Sequence, residues 1–406
     1  MKMTTNNIPQ GYKDSPLGII PEEWEVKKLR EIAEINPTRK DFISPFVTFL
    51  SMADISEHGG ILKENIVPQN SIKPGLTSFK RGDIIIAKIT PCFENGKGAL
   101  LNNITNEYGF GSTEFHVIRC KQCNLFIYYH TMSYAFRKRL ESQMTGSAGQ
   151  KRVPADSISS YKIPVPPLSE QQKIAEVLST WDKAIEKQSQ LIEKLELRKK
   201  GLMQQLLTGK KRLPGFSSEW KTMKLGELFD ERNETNMPAL PLLSITANKG
   251  IILQTESEKK NTSNDDKSKY KRICPNDIGY NTMRMWQGRC ALSKLEGIVS
   301  PAYTIIIPHN NINPYYMEML FKQPFMVYRF WTHSQGLVND TLNCKFPSFS
   351  QVKVIIPDLK EQNAIIEILL SCDTEITLAN QRFESLRQQK KGLMQVLLIG
   401  KNRVIR

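Results

Sequence analysis

Histidine is scarce in this chain of 406 residues: there are five, and none forms an H-E-x-x-H pair or a histidine-rich cluster. That excludes the commonest sequence signatures of a zinc hydrolase. Long apolar runs are also missing. Nothing approaches the roughly 18–20 residues that a membrane span needs. The opening segment Met1–Asp14 is polar and has no apolar core of a secretory signal, so a cytoplasmic location is the default expectation. Cysteines number seven, an odd count at irregular spacings, unlike a secreted disulfide framework. Cys120 and Cys123 form one C-x-x-C with no second pair, which favours a structural role over metal or redox chemistry. Catalytic motifs are equally hard to find. Gly146–Lys151 lacks the spacing and the terminal hydroxyl of a phosphate-binding loop, and Asn36-Pro37-Thr38 does not complete the Asn/Asp-Pro-Pro-aromatic motif of an amino-methyltransferase. Asp358 and Glu361 carry nuclease-like letters, but they stand at a helix start, where capping accounts for both. No metal site and no bound cofactor is expected.

What is present in excess is positive charge. Lys and Arg total 56 against 41 Asp and Glu, a net charge of +15. This favours an anionic partner, with nucleic acid the leading candidate. The length suggests two or three domains, and an apolar fraction of 40% is enough to bury cores.

An internal repeat organises the chain. The segment from Leu168 to Lys210 aligns without a gap to the segment from Leu359 to Lys401, with roughly half the positions identical and a shared K-K-G-L-M-Q at Lys199–Gln204 and Lys390–Gln395. In the first copy a 3.5-residue frame runs through Ile174, Leu178, Trp181, Ile185, Gln188, Ile192, Leu195, Lys199, Leu202 and Leu206. In the second it runs through Ile365, Leu369, Cys372, Ile376, Ala379, Phe383, Leu386, Lys390, Leu393 and Leu397. A frame held this long predicts a coiled-coil seam in each copy. Ser169 with Gln172, and Asp358 with Glu361, fit capping boxes; Gly209 and Gly400 fit C-terminal stops. Gly201 and Gly392 fall inside the helices, where each costs about 1 kcal/mol relative to Ala. Their matched positions point to a close backbone contact, either between the helices or with a partner. Each helix of about 40 residues would span ~60 Å at ~1.5 Å per residue. Antiparallel pairing would then give a dumbbell with approximate twofold symmetry within one chain.

The segments before the helices are also related. Each opens on a tryptophan, Trp24 or Trp220, followed by a short helix signal, and each has a turn into a strand at Gly82-Asp83 or Asn276-Asp277. Beyond such landmarks they diverge, which suggests one scaffold with two different targets. The expected fold class is α+β: two α/β domains separated by two long antiparallel coiled-coil helices, pseudo-twofold within one chain. The expected boundaries are 1–165, 166–212, 213–355 and 356–406.

Candidate nucleic-acid contacts lie on the divergent stretches. In the first segment they are Lys88, Thr90, Lys97, Ser147, Gln150, Lys151 and Arg152. In the second they are Asn281, Arg284, Trp286, Gln287 and Arg289, followed by Gln335, Asn339, Asp340, Asn343 and Lys345. Arg and Lys pair with guanine edges, Asn and Gln pair with adenine, and glycine-rich backbone can approach phosphate. The competing reading of each stretch is a solvated surface loop.

At this point the residues resemble a known family. The openings Pro21-Glu-Glu-Trp24 and Pro214–Trp220, the junctions Pro166–Gln172 and Ile356–Gln362, and the paired tails Leu202–Leu207 and Leu393–Leu398, all in order and twice, resemble the specificity subunits of type I restriction–modification systems. The resemblance implies that each globular segment reads one half of a split, asymmetric DNA sequence. It implies that the helices set the unread gap and dock two modification subunits that bind S-adenosylmethionine and methylate adenine. Two restriction subunits would supply the ATP- and Mg-dependent chemistry. The helix seams would be Ile174, Leu178, Trp181, Ile185, Ile192, Leu195, Gly201, Leu202 and Leu206 against Ile365, Leu369, Ile376, Phe383, Leu386, Gly392, Leu393 and Leu397. On this reading the chain is not itself an enzyme and binds no membrane. The alternatives are a coiled-coil adaptor with two protein-binding heads, which leaves the charge unexplained, and a self-sufficient enzyme, which predicts motifs that are not found.

Overall fold

A computed structural model of the chain describes residues 8–38, 44–147, 149–246, 249–257, 263–336, 338 and 341–404. It divides into two compact units. The first comprises residues 1–189 with 381–406, and the second residues 190–380. The long helices Leu168–Leu206 and Leu359–Leu397 have 39 residues each, and each contributes to both units. No described helix is long and apolar enough to cross a membrane.

The first unit carries a head of two four-stranded sheets. In one, Ala33–Ile35, Phe115–Cys120, Ile84–Ala87 and Gly98–Leu100 lie side by side, all antiparallel. In the other, the order is Asn65–Pro68, Phe46–Leu50, Tyr108–Gly111 and Thr77–Lys80, with one parallel pair, Phe46–Leu50 beside Tyr108–Gly111. Ile84, Ile85, Ile86 and Ala87 are all buried, as a β-branched strand covered on both faces requires. A ribbon of Glu25–Lys28 with Lys162–Val165 ties the beginning of the head to its end.

The second unit repeats the first of these sheets in the same order: Phe229–Glu231, Tyr303–Pro308, Ile278–Asn281 and Cys290–Leu292. It repeats the closing ribbon too, as Lys221–Lys224 with Lys353–Ile356. The turn into the central strand is built alike in both. Gly82 and Asn276 take the left-handed backbone at φ 88° and 72°, a conformation that glycine and asparagine tolerate best. The next residue, Asp83 or Asp277, is buried. It accepts the Lys80 or Cys274 backbone N–H and is gripped by Arg119 or Arg232. The aspartate thus satisfies the turn's donor while its charge is balanced.

Each head finishes its core with parts of both long helices. In the first unit Ile174, Ala175 and Leu178 join Leu397 and Leu398 around Trp24 and Phe136. In the second, Leu206 and Leu207 join Ile365, Ile366 and Leu369 around Tyr280 and Phe349. The sequence boundaries at 166, 213 and 356 therefore do not delimit these cores: residues 381–406 belong with the first head.

A matched clasp holds these helix ends. Buried Glu170 accepts the Trp24 indole N–H at 2.9 Å and two bonds from Arg403 at 2.7 and 2.9 Å. Buried Glu361 accepts the Trp220 indole N–H at 3.1 Å and two bonds from Arg212 at 2.6 and 2.7 Å. A carboxylate taken out of water is tolerable because its oxygens are filled by a guanidinium fork and an indole donor. Bonding to the carboxylate raises the pKa of Arg403 and of Arg212.

Within each unit the helices run antiparallel. In the first, Asp182 pairs with Lys390 while Glu170 meets Arg403; in the second, Asp373 pairs with Lys199 while Glu361 meets Arg212. Every position of the 3.5-residue frame is buried or half-buried, the polar Gln188, Lys199 and Lys390 included. Off the frame, Leu191, Leu197, Leu370 and Leu378 are exposed.

Three expectations need correction. The first helix begins at Leu168, so Ser169 lies inside its first turn and is not the cap. The Glu170 and Gln171 backbone N–H groups donate to Pro167 O, and the Gln171 side chain to Pro166 O. In the second helix Asp358 does cap, accepting the Glu361 N–H at 3.0 Å, but the Glu361 side chain serves the clasp and not a capping box. Gly201 and Gly392 have open space where a Cβ would stand, so neither marks a close contact within the chain. Gly209 and Gly400 end the helices with φ 70° and 73°.

Candidate nucleic-acid interface

Both heads present the same two-part platform. In the first unit the central strand Ile84–Ala87 runs out into Lys88-Ile89-Thr90. A hairpin closed by Thr145 and Arg152 lies against it: Thr145 and Arg152 exchange backbone bonds of 3.0 and 2.8 Å, Thr90 N donates to Lys151 O, and Val153 N donates to Lys88 O. In the second unit the strand Ile278–Asn281 runs out into Thr282. The hairpin is closed by Gln335 and Asn343, whose two mutual backbone bonds are both 2.8 Å, and Cys344 N donates to Thr282 O. Each strand end therefore has one glycine-containing loop stitched beside it by main-chain bonds. The scaffold fixes position and the loop sequence is free to differ.

The candidate residues fall out unequally on this platform. Lys88, Thr90, Gln150, Lys151 and Arg152 are brought together in the first head. Gln150 and Lys151 are exposed, and among the described residues the Lys88 and Lys151 ammonium groups make no ion pair. Ser147 lies exposed in the loop, where its carbonyl accepts from Gln150 N at 3.0 Å. Thr90 is occupied by Glu94 at 2.7 Å. Arg152 is committed to protein partners: Nε and Nη2 bond the Glu114 carboxylate, and Nη1 donates to Gln150 O at 3.0 Å. That bonding holds the Glu114 carboxyl below its ordinary pKa. Lys97 is set apart, its ammonium donating to Met52 O at 2.9 Å.

In the second head, Asn281, Arg284, Trp286, Gln287 and Arg289 form one turn after the central strand. Asn281 Oδ1 accepts from Met283 N, and the Trp286 indole donates to Met283 O at 3.0 Å, so both side chains shape the turn itself. Gln287 and Arg289 are exposed. Asn343 Nδ2 donates to Gln335 O, fixing the hairpin base, while Lys345 is exposed beside it. Asn339 and Asp340 lie outside the described residues. A cleft of about 470 Å³ opens along this platform, lined among others by Thr282, Asn343, Lys345, Lys271 and Glu231. Lys271 and Glu231 carry no motif: they stand in strands of two different sheets, and a 3.6 Å ion pair joins them on one wall of the cleft.

A family model for the type I restriction modification DNA specificity domain matches this chain twice, over residues 21–197 and 217–388. The chain belongs to that family. Each match spans one head and most of the long helix that follows it. Among relatives of this specificity family, the EcoAI specificity subunit of Escherichia coli is 43% identical over 162 residues, 38% of this chain and 27% of that protein. The match thus spans about a quarter of that relative's length. The putative MjaX specificity subunit of Methanocaldococcus jannaschii is 26% identical across 97% of both chains. A chain from a solved structure concerned with complex assembly and conformational transition of the type I R-M system shares the fold, with a TM-score of 0.63 at 17% identity over 94% of this chain and 99% of the other.

Proposed function

We propose that this chain is the recognition subunit of a type I restriction–modification complex, with each head reading one half of a bipartite, asymmetric DNA sequence. The observation that carries the reading is the pair of matched platforms: one scaffold built twice, with the same strand end and the same stitched hairpin, but with unrelated loop residues. A shared scaffold gives both heads the same way of meeting a duplex, and different loops give each its own base preference. In the first head Lys88, Gln150 and Lys151 are the base or phosphate contacts, and Arg152 positions the loop through Glu114. In the second, Gln287, Arg289 and Lys345 take that part.

The paired helices set the gap between the half-sites and dock two modification subunits. The basic balance of +15 supports a duplex partner. Methyl transfer from S-adenosylmethionine belongs to the modification subunits, and ATP- and Mg-dependent translocation and cleavage to two restriction subunits. This chain contributes selection and acts in the cytoplasm. Each mismatched base pair costs about 1–3 kcal/mol, so requiring both halves multiplies the discrimination.

The test is to co-express the chain with a modification subunit and map methylated adenines across the host genome. One bipartite motif with a fixed gap is expected. Exchange of residues 24–163 for those of a relative should alter one half only. A contiguous motif, or a change in both halves, would refute the two-reader assignment.

A further inference from the structure

A pocket of about 720 Å³ lies in the first unit, with walls from the head and from both long helices. One wall is apolar, with Tyr161, Ile163, Met394 and Leu398 along it. Of the charged groups contributed by the helices, four are paired among themselves, while Lys391 lies over the Tyr134 ring with no acidic partner among the described residues. Lys390 pairs with Asp182, which also accepts the Tyr129 hydroxyl at 2.7 Å, and Arg387 pairs with Glu384 at 3.0 Å. Glu57 and Glu94, which also line the pocket, are hydrogen-bonded to Asn95 and Thr90.

Two buried side chains lining the pocket are not balanced. Arg137 is 7% exposed and, among the described residues, has no acidic partner. It is held only by the Thr131, Phe93 and Gly96 carbonyls, by Met132 sulfur and by stacking on the Phe93 ring. His130 is 5% exposed, and its Nε2 has no hydrogen-bond partner. A buried cation without a counter-ion and a buried polar nitrogen without a partner are both costly. Their meeting in one pocket, beside an apolar wall, describes what is missing. That is an apolar body carrying a negative group and a polar atom, in a volume typical of small-molecule sites.

We propose that this pocket binds a small amphipathic organic anion, its body against Tyr161, Ile163, Met394 and Leu398 and its acidic group beside Arg137. Nothing in DNA reading requires this site, and its ligand would tie the first head to the helices that it packs on.

The experiment is a fluorescence titration of the full-length chain with 8-anilinonaphthalene-1-sulfonate and, in parallel, with the uncharged N-phenyl-1-naphthylamine. One saturable site per chain is expected for the sulfonate, at least about tenfold tighter than for the neutral dye. Ala135 is an exposed residue lining the pocket, so Ala135→Trp should obstruct it and weaken sulfonate binding at least about tenfold while the fold survives. Arg137→Met should abolish the preference for the anion. If that variant does not fold, the dye pair and Ala135→Trp decide alone. Equal affinity for the two dyes, or sulfonate binding unchanged by Ala135→Trp, overturns the proposal.

Discussion

His130 is an imidazole built into a helix, Asn124–Met132, whose inner face is core. Its ring meets Phe126 edge-on at 4.8 Å. Burial holds it neutral, with its pKa pushed down to about 3. An unfolded histidine takes its proton near 6.5. Between those values the unfolded chain binds the extra proton and the folded chain does not, so the free energy of unfolding falls as the pH drops below about 6.5. One group contributes at most about 1.4 kcal/mol per pH unit. His130→Leu removes the titration together with the unpartnered nitrogen. At pH 7 the variant should match the native chain or exceed it, because an unmade bond is lost without a cavity of comparable cost. At pH 4.5 it should be more stable than the native chain by about 2–3 kcal/mol. Urea denaturation at the two pH values measures the difference directly, and parallel pH curves for the two proteins would contradict this account.

At the scale of elements, the two long helices carry the clearest unexplained feature. Gly201 and Gly392 stand in helix interiors with empty space at the Cβ position. Internal packing gives no reason for a residue that costs about 1 kcal/mol in a helix. Gly201→Ala and Gly392→Ala should therefore each stabilise the isolated chain by about 0.5–1 kcal/mol in chemical denaturation. If the helices dock the modification subunits as proposed, the same substitutions should weaken capture of that subunit, measured by co-purification and titration. Stabilisation with unchanged capture would assign the glycines no docking role.

The helices were also the part of the fold most legible in the sequence. A seam is a periodic pattern, and the frame located Gln188, Lys199 and Lys390 as inward positions although their side chains are polar. The start of the first helix was misplaced because Ser169 and Gln172 satisfy a local cap pattern, whereas Pro167 and the Gln171 side chain make the actual bonds. The clasp was not legible: Arg403 meets Glu170 across 233 residues, and only tertiary closure brings them together. The hairpin loops could be read from their glycines and polar letters. The commitment of Arg152 and Lys97 to protein partners could not, because it depends on Glu114, in a turn, and on the carbonyl of Met52, in a short 3-10 helix, which arrive from elsewhere in the chain.

The whole molecule repeats its clasps at a constant interval along the chain: Glu170 and Asp182 in the first unit correspond to Glu361 and Asp373 in the second, and their partners Arg403 and Lys390 to Arg212 and Lys199. The helices have the same length, 39 residues, so any change in one must be matched in the other to keep both sets of pairs. This gives the ruler proposal a sharp form. One heptad can be added to both helices at once by duplicating residues 183–189 and 374–380. A heptad preserves the 3.5-residue seam, and the clasps at both ends are untouched. Each helix lengthens by about 10 Å at ~1.5 Å per residue. At ~34 Å per turn of ~10 base pairs, that corresponds to about three base pairs. The methylated motif should keep both half-sites and widen its gap by about that amount, read from a methylation map of cells expressing the lengthened chain with the modification subunit. An unchanged gap would mean that the helices hold the heads without measuring the DNA. Altered half-sites would mean that the loops do not read independently of the helices. The single-helix insertion is the internal control: it leaves one seam unmatched, should lose the Asp182–Lys390 or the Asp373–Lys199 pair, and should fail to methylate at either gap length.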